Sequence, residues 1–396
     1  MNPTPSDRTT PIDREREAAD SGHASSRAEF RPDRILIIRL GALGDVVRTL
    51  PAVVAIRALY PGAHLTWLVE SSASGVVDVA NVVDETMVFP RRELVETIQS
   101  ADWLSVARRS IAFVRNLRDR RFDLVVDFHG ILKSGLLSRL SGAPIRVGYG
   151  RSLAREYSHL FANRHVELAD PDVSRYARNA AMVEALSPGA KLPDHPLLHP
   201  SPLALARLTA RLRVSDRERA TNFVLIHPGS SPDARYKRYA PAAWAEVARR
   251  LVEQGLEVWV AAGGDREERR LVAEITRATE GAVLVAPETR SFDDLLALLV
   301  RASVFVSGDT GPLHAASLAG VPVVQLLGPT HPKHNEPWHG SPWGRVHVPL
   351  PCSPCRRGCA EVSCMRAIPP PLVVDEIEKL RRVPRRERTT SIGDPA

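Results

Sequence analysis

Three short stretches of this 396-residue sequence pair chemically able side chains with residues small enough for close backbone approach. The first is Gly41-Ala-Leu-Gly-Asp45, directly after the apolar run Arg34-Ile-Leu-Ile-Ile-Arg-Leu40. Glycines there permit a tight turn next to a ligand. The third glycine of a dinucleotide fingerprint is missing, and no Gly-Lys-Ser/Thr follows to make a P-loop. Asp45 opens a helical pattern, so it either caps that helix or presents a carboxylate at a cleft edge as a general base. The second stretch is His227-Pro-Gly-Ser230-Ser231 with Lys237 downstream. It is either a solvated loop or a cradle of N–H groups for a phosphate, with one lysine as point charge. Lys237 is one of five lysines against 48 arginines, which makes a requirement for lysine plausible. The third is Ser307-Gly-Asp309-Thr310-Gly311-Pro-Leu-His314. Pro312 marks a first helical position, and the free N–H groups of that helix start would face an anion. Thr310 adds a hydroxyl, and His314 lies one turn in. Capping by Asp309 or Thr310 is the plainer reading and is compatible with anion binding. Gly263-Gly264-Asp265 also ends a strand before a helix, where Asp265 either holds ribose hydroxyls or caps.

All four cysteines fall within thirteen residues: Cys352, Cys355, Cys359 and Cys364. Clustering of this kind points to a structural metal site, zinc or an iron–sulfur cluster, or to thiols in a locally clipped loop. The spacing is tighter than that of common zinc ribbons.

The elements that must position these residues alternate. Strands are expected at 34–40, 64–69, 86–89 and 124–128, with helices at 46–59, 92–119 and 132–140. The prolines of 187–202 read as a linker, and the alternation then restarts. Strands follow at 223–226, 257–261, 282–285, 304–307 and 321–327, with helices at 241–254, 266–279, 291–301 and 311–319. Strand–helix alternation implies parallel sheets, here two Rossmann-like α/β units with ligands at the carboxyl ends of their strands. A long loop follows Gly328, and a last helix is expected at 371–382. Residues 1–33 and 384–396 read as a disordered lead and tail.

Composition narrows the classes further. At 44% hydrophobic and 25% charged residues, the chain has a globular mix. No run approaches the roughly 18 apolar residues of a membrane helix, and Met1 to Phe30 has no apolar core of a secretory signal. A cytoplasmic location is expected. The net charge is +7, and the body of the chain between the two tails is itself basic. That suits an anionic membrane face or a phosphorylated substrate. The arginine-rich composition accounts for the charge without invoking nucleic acid.

Together these blocks resemble glycosyltransferase family 9, the ADP-heptose:lipopolysaccharide heptosyltransferases. The resemblance rests on Leu40-Gly-Ala-Leu-Gly-Asp45 with Thr49-Leu-Pro51, Asp127-Phe-His-Gly with Lys133-Ser134, His227-Pro-Gly-Ser230 with Lys237, and Asp309-Thr-Gly-Pro-Leu-His314. It spans about residues 34–380. It implies a GT-B fold with an acceptor-binding domain at 34–200 and a nucleotide-sugar-binding domain at 201–350. A Cys-rich loop and closing helix would occupy 351–383. It also implies inverting transfer of a heptose from ADP-heptose without a catalytic metal or cofactor. The acceptor would be an anionic, lipid-linked core sugar of lipopolysaccharide at the inner membrane face, with the enzyme peripheral to it. Asp45 falls on the family's catalytic aspartate. Ser230, Lys237, Asp309, Thr310, Gly311 and His314 fall in its donor motifs, and Asp265 on an acidic ribose contact. Arg91 and Arg92 resemble a basic acceptor loop, and Lys133 belongs to an acceptor-side motif. The alternatives are transfer from another nucleotide sugar, a nucleotide-sugar epimerase, or a non-enzymatic nucleotide-sugar-binding protein. An epimerase has no evident use for a basic acceptor loop, and a binding protein needs no carboxylate at position 45.

Overall fold

The computed structural model describes residues 30–214, 217, 222–355 and 358–383; the expected lead up to residue 29 and the tail from 384 lie outside them. In the first half of the chain the elements run β1 (Arg34–Ile38), α1 (Leu43–Leu59), β2 (His64–Glu70), α2 (Ser71–Ala80), β3 (Glu85–Phe89), α3 (Arg91–Gln99), α4 (Trp103–Asp119), β4 (Leu124–Asp127), α5 (Leu132–Leu140), β5 (Ile145–Tyr149), β6 (Arg164–Val166) and α6 (Arg175–Glu184). In the second they run α7 (Pro202–Arg213), β7 (Val224–His227), α8 (Pro241–Glu253), β8 (Val258–Val260), α9 (Arg266–Ala278), β9 (Leu284–Val285), α10 (Phe292–Leu299), β10 (Val304–Gly308), α11 (Gly311–Leu318), β11 (Val323–Leu327), β12 (Trp343–His347), α12 (Ser363–Arg366) and α13 (Pro370–Arg381).

Among the described residues the strands form two six-stranded parallel sheets, ordered β3-β2-β1-β4-β5-β6 and β12-β11-β10-β7-β8-β9. Counted from its own first strand, the second sheet has the same order as the first. This is the doubly wound arrangement, and the order reverses between β1 and β4 and between β7 and β10. Ligands of such sheets bind outside the carboxyl ends at that reversal. Those ends lead into Asp45, Asp127, the 227–231 loop and Asp309.

Covered on both faces, the strands read as almost unbroken apolar runs. Along β1, Ile35 and Ile37 point into a core that continues through Leu313 and Phe305 of the second half. Leu36 and Ile38 point the other way, into a smaller core with Leu117 and Phe122. A third core lies under α8 and α13, around Trp244, Val306 and Ile377. The two halves thus share apolar packing.

Several expectations need correction. The single helix expected at 92–119 is two. Ala101 takes a left-handed φ of 55°, and Asp102 then caps α4 by accepting from Ser105 N at 3.0 Å. The loop after Gly328 contains β12 and α12, and β5, β6, α2, α6 and α7 were not anticipated. Order begins one residue early: Asp33 accepts from His64 N at 2.7 Å and donates to Asp123 Oδ2 at 2.9 Å. The 187–202 segment is free of helix until Pro202, as a linker should be. It packs on the second half, where Leu197 N and Leu198 N both donate to Leu318 O.

Candidate active site

The two helix starts α1 and α11 meet glycine to glycine. A Cβ on Gly44 would lie 3.2 Å from the Gly311 Cα, and a Cβ on Gly311 would collide with the Leu43 side chain. Both glycines therefore sit at a close approach between the two halves, where a side chain would make the neighbouring backbone or Leu43 shift.

This contact brings the two motifs together. Ala42 holds the N-cap position of α1, so Asp45 sits inside the first turn and the capping alternative fails. Its carboxylate instead meets three guanidiniums: Arg39, Arg48 at 2.7 Å and Arg175 at 2.5 Å. Burial alone would raise its pKa, but the three cations outweigh it and hold the carboxyl well below the usual range. Arg48 spans the halves. One guanidinium nitrogen holds Asp45, and the other lies 3.2 Å from both His314 Nε2 and Asn335 Oδ1.

Asp309 is the matching centre in the second half. Its Oδ2 accepts from Lys237 Nζ at 2.8 Å and Thr330 Oγ1 at 3.1 Å, and its Oδ1 lies 3.2 Å from His314 Nε2. Burial opposes its charge, yet His314, Lys237 and Arg48 together keep it ionised far below the ordinary carboxylate range. Asp309 is therefore the counter-ion of Lys237 and caps nothing. Thr310 holds the N-cap position of α11 without a side-chain cap bond; its hydroxyl meets Ser307 Oγ at 3.0 Å. The backbone N–H groups at this helix start carry the partial positive charge of the helix dipole.

The remaining donor-side candidates divide. Ser230 braces its own loop, donating to Ala234 O at 2.9 Å and accepting from Arg238 Nε at 3.0 Å. Asp265 caps α9, accepting from Glu268 N at 2.8 Å. Sequence reasoning passed over Glu268 itself. Its buried side chain fills the space left by Gly229 and Gly263, and desolvation followed by Asp265 raises its pKa. The missing Cβ atoms at two strand ends were its only signal.

On the other side, Glu70 at the end of β2 gathers Lys133 at 2.7 Å and Arg91 at 3.0 Å. The pair Arg91-Arg92 is not a loop, because it opens α3. Both side chains are exposed: Arg91 reaches across to Glu70, while Arg92 pairs with Glu96 in its own helix at 2.8 Å. Asp127 accepts from His129 N, Gly130 N and Ser134 Oγ, which folds the turn that presents His129 and Lys133. A cavity over Asp45 is lined by Arg39, Arg48, His129, Arg155 and Arg175 among others. Of these arginines, none was singled out from the sequence.

All four cysteines are free thiols. Cys364 is buried against Gly328, while Cys352 and Cys359 are exposed. Among the described residues no three of their sulfurs come within 4.8 Å of one another, while burial and then the nearby Cys355 and Cys359 raise the pKa of the Cys364 thiol. Their loop docks beside the Asp309 cluster. Cys355 N donates to Pro329 O at 2.8 Å, next to Thr330.

Burial also sets a pH dependence. It pushes His227 and His314 down to about 4 and His129 to about 3, and raises Asp127 to about 6. As pH falls from 7 towards 4, the unfolded chain protonates three histidines that the folded chain keeps neutral. Stability is lost through this window. Asp127 acts oppositely, since the folded form takes its proton first. His334 and His347, also lowered by burial, act with these three histidines, and Glu268 with Asp127, so the unfolding free energy should fall between pH 7 and 5 by on the order of 1 kcal/mol or more per pH unit, seen as a falling urea midpoint. A midpoint that holds or rises over that range would contradict these assignments.

Two doubly wound sheets whose carboxyl ends meet at one cleft, with a buried carboxylate on one wall and a lysine and helix start on the other, make up a GT-B fold. The chain belongs to glycosyltransferase family 9 (heptosyltransferase), whose family model matches residues 110–364. Lipopolysaccharide heptosyltransferase 1 of Pseudomonas aeruginosa is 29% identical over 338 residues, covering 81% of this chain and 86% of that protein. The glycosyltransferase family 9 structure from Veillonella parvula superposes with a TM-score of 0.70 at 18% identity, over 89% of this chain and 98% of that one. The structure of E. coli heptosyltransferase WaaC with ADP gives 0.67 at 23% identity, over 88% and 99%.

Proposed function

We propose that this glycosyltransferase moves a heptose from ADP-heptose to an anionic, lipid-linked core sugar of lipopolysaccharide, with inversion. The observation that carries the proposal is the direct meeting of the Asp45 cluster with the Lys237–Asp309 cluster through Arg48 and His314. The first half, 34–200, takes the acceptor, and the second, 201–350, takes the donor. An acceptor hydroxyl attacks the anomeric carbon of the heptose, and its proton passes to Asp45. The bond from that carbon to the diphosphate breaks, and ADP leaves with the electron pair. Lys237, the Thr310 hydroxyl and the Gly311 N–H meet the charge that develops on it. These groups supply the positive field, so the step is written without a cation. The donor ribose is assigned to Glu268 together with the free oxygen of the Asp265 cap. Ser230 shapes the loop around the diphosphate, and His314 holds Asp309 in place.

The cavity of arginines over Asp45, with Lys133 and Arg91 beyond it, suits the negative charges of the acceptor. No described helix is long and apolar enough to cross a membrane. On α4, however, Trp103, Leu104 and Ile111 are exposed among arginines. Such a face supports peripheral attachment at the anionic inner surface of the cytoplasmic membrane.

Calorimetry with a panel of nucleotide sugars tests the donor. ADP-heptose is expected to bind, and its turnover to require the lipid-linked acceptor. Preferred binding of a UDP- or GDP-sugar would keep the fold and overturn the heptose assignment.

A further inference from the structure

Away from the proposed chemistry, three side chains of metal-binding type meet where the halves face each other. Asp172 lies in the segment just before α6 in the first half. His331 and His334 lie in the segment after β11 in the second, at the short 3-10 turn Lys333–Asn335. Among the described residues this is the one group of three whose ligand atoms all lie within 4.8 Å of one another. His334 Nε2 is 2.7 Å and His331 Nε2 3.6 Å from the same oxygen, Asp172 Oδ1. The two rings stack with centroids 4.2 Å apart. All three side chains retain some exposure, so an ion has a path in.

We propose that Asp172, His331 and His334 form a zinc-class cation site that clips the two halves together at the cleft rim. Two imidazoles and one carboxylate are the ligand set of zinc, nickel or cobalt, whereas magnesium and calcium prefer oxygen ligands throughout. Three protein ligands leave a fourth position for water. Lys333 is the competitor: its Nζ lies 3.6 Å from Asp172 Oδ2 and 3.5 Å from Asp170 Oδ2. The neighbours of the two histidines give the clip its reach. Thr330, next to His331, holds Asp309, and Asn335, next to His334, receives Arg48. An ion here fixes the segment that braces both charged clusters.

The test titrates Co2+ and then Zn2+ into the full chain, its Asp172→Asn and His334→Asn variants from opposite halves, and Lys333→Ala. Wild type is expected to bind one Co2+ whose spectrum shows nitrogen and oxygen ligation without thiolate charge transfer. Each ligand variant should lose at least about tenfold in affinity, and Lys333→Ala should gain. Zn2+ should raise the thermal midpoint of wild type and leave that of Asp172→Asn unchanged. Metal-free midpoints of the variants, close to wild type, establish that they fold. Equal affinity in wild type and both ligand variants overturns the site. So does a spectrum carried only by thiolate ligation, which would place the ion at the cysteines, and so does the absence of binding.

Discussion

Replacing Asp45 with Asn is expected to lower kcat by about 10²–10⁴-fold while leaving ADP binding within a few-fold of wild type. The amide keeps the volume and can still accept a hydrogen bond, but it takes no proton. It also leaves Arg39, Arg48 and Arg175 around a neutral group, so the thermal midpoint should fall as well. Donor binding by calorimetry separates the two effects, because a variant that binds ADP has kept its cleft. Turnover within tenfold of wild type would remove Asp45 from the chemistry. The cluster also explains a tension. A carboxylate held so far below its ordinary pKa is ionised throughout the physiological range but is a weak base. Arg175 has the most exposed side chain of its three partners, at 35%. An anionic acceptor that draws Arg175 away would strengthen the base at the moment of reaction. Acceptors stripped of their negative groups should therefore lose kcat as well as affinity.

The second large effect is expected at Lys237. Its alanine variant should lose about 10²–10³-fold in kcat, because one of the few fixed positive groups facing the departing diphosphate is gone. Donor affinity should weaken in parallel, since the diphosphate is charged in the ground state too. Lys237→Arg should rescue only in part: the lysine is a compact point charge held by Asp309 at 2.8 Å, and a planar fork does not fit that contact in the same way. Single-turnover rates and ADP titrations would check both variants. Unchanged ADP affinity in Lys237→Ala would place the diphosphate elsewhere in the cleft.

Much of the frame was legible because short-range rules control it. Ile-Leu-Ile-Ile in β1 and Val-Phe-Val-Ser in β10 are buried on both faces, and such runs read as interior parallel strands without any tertiary information. Pro312 marked the start of α11 correctly. What stayed hidden depends on distant residues converging. Arg39, Arg48 and Arg175 reach one carboxylate from three elements, and nothing in a chain of 48 arginines distinguishes them. Asp309 looked like a cap because it precedes a helix. Its pairing with Lys237, 72 residues earlier in the chain, comes from the adjacency of β7 and β10. β12 was missed because Trp343-Gly-Arg-Val-His347 lies at a sheet edge with alternating exposure, amid prolines. The helix break at Ala101 depends on one left-handed residue, and no glycine announced it.

The bare contact between Gly44 and Gly311 has a mechanical consequence. A Cβ on Gly44 would lie 3.2 Å from the Gly311 Cα, so the two helix starts are set against each other backbone to backbone. Asp45 follows Gly44 by one residue and Thr310 precedes Gly311 by one, so this backbone contact sets the spacing of the two groups. A methyl group at either glycine would press on the neighbouring backbone or on Leu43, and so reach the charged centres without altering any of their side chains.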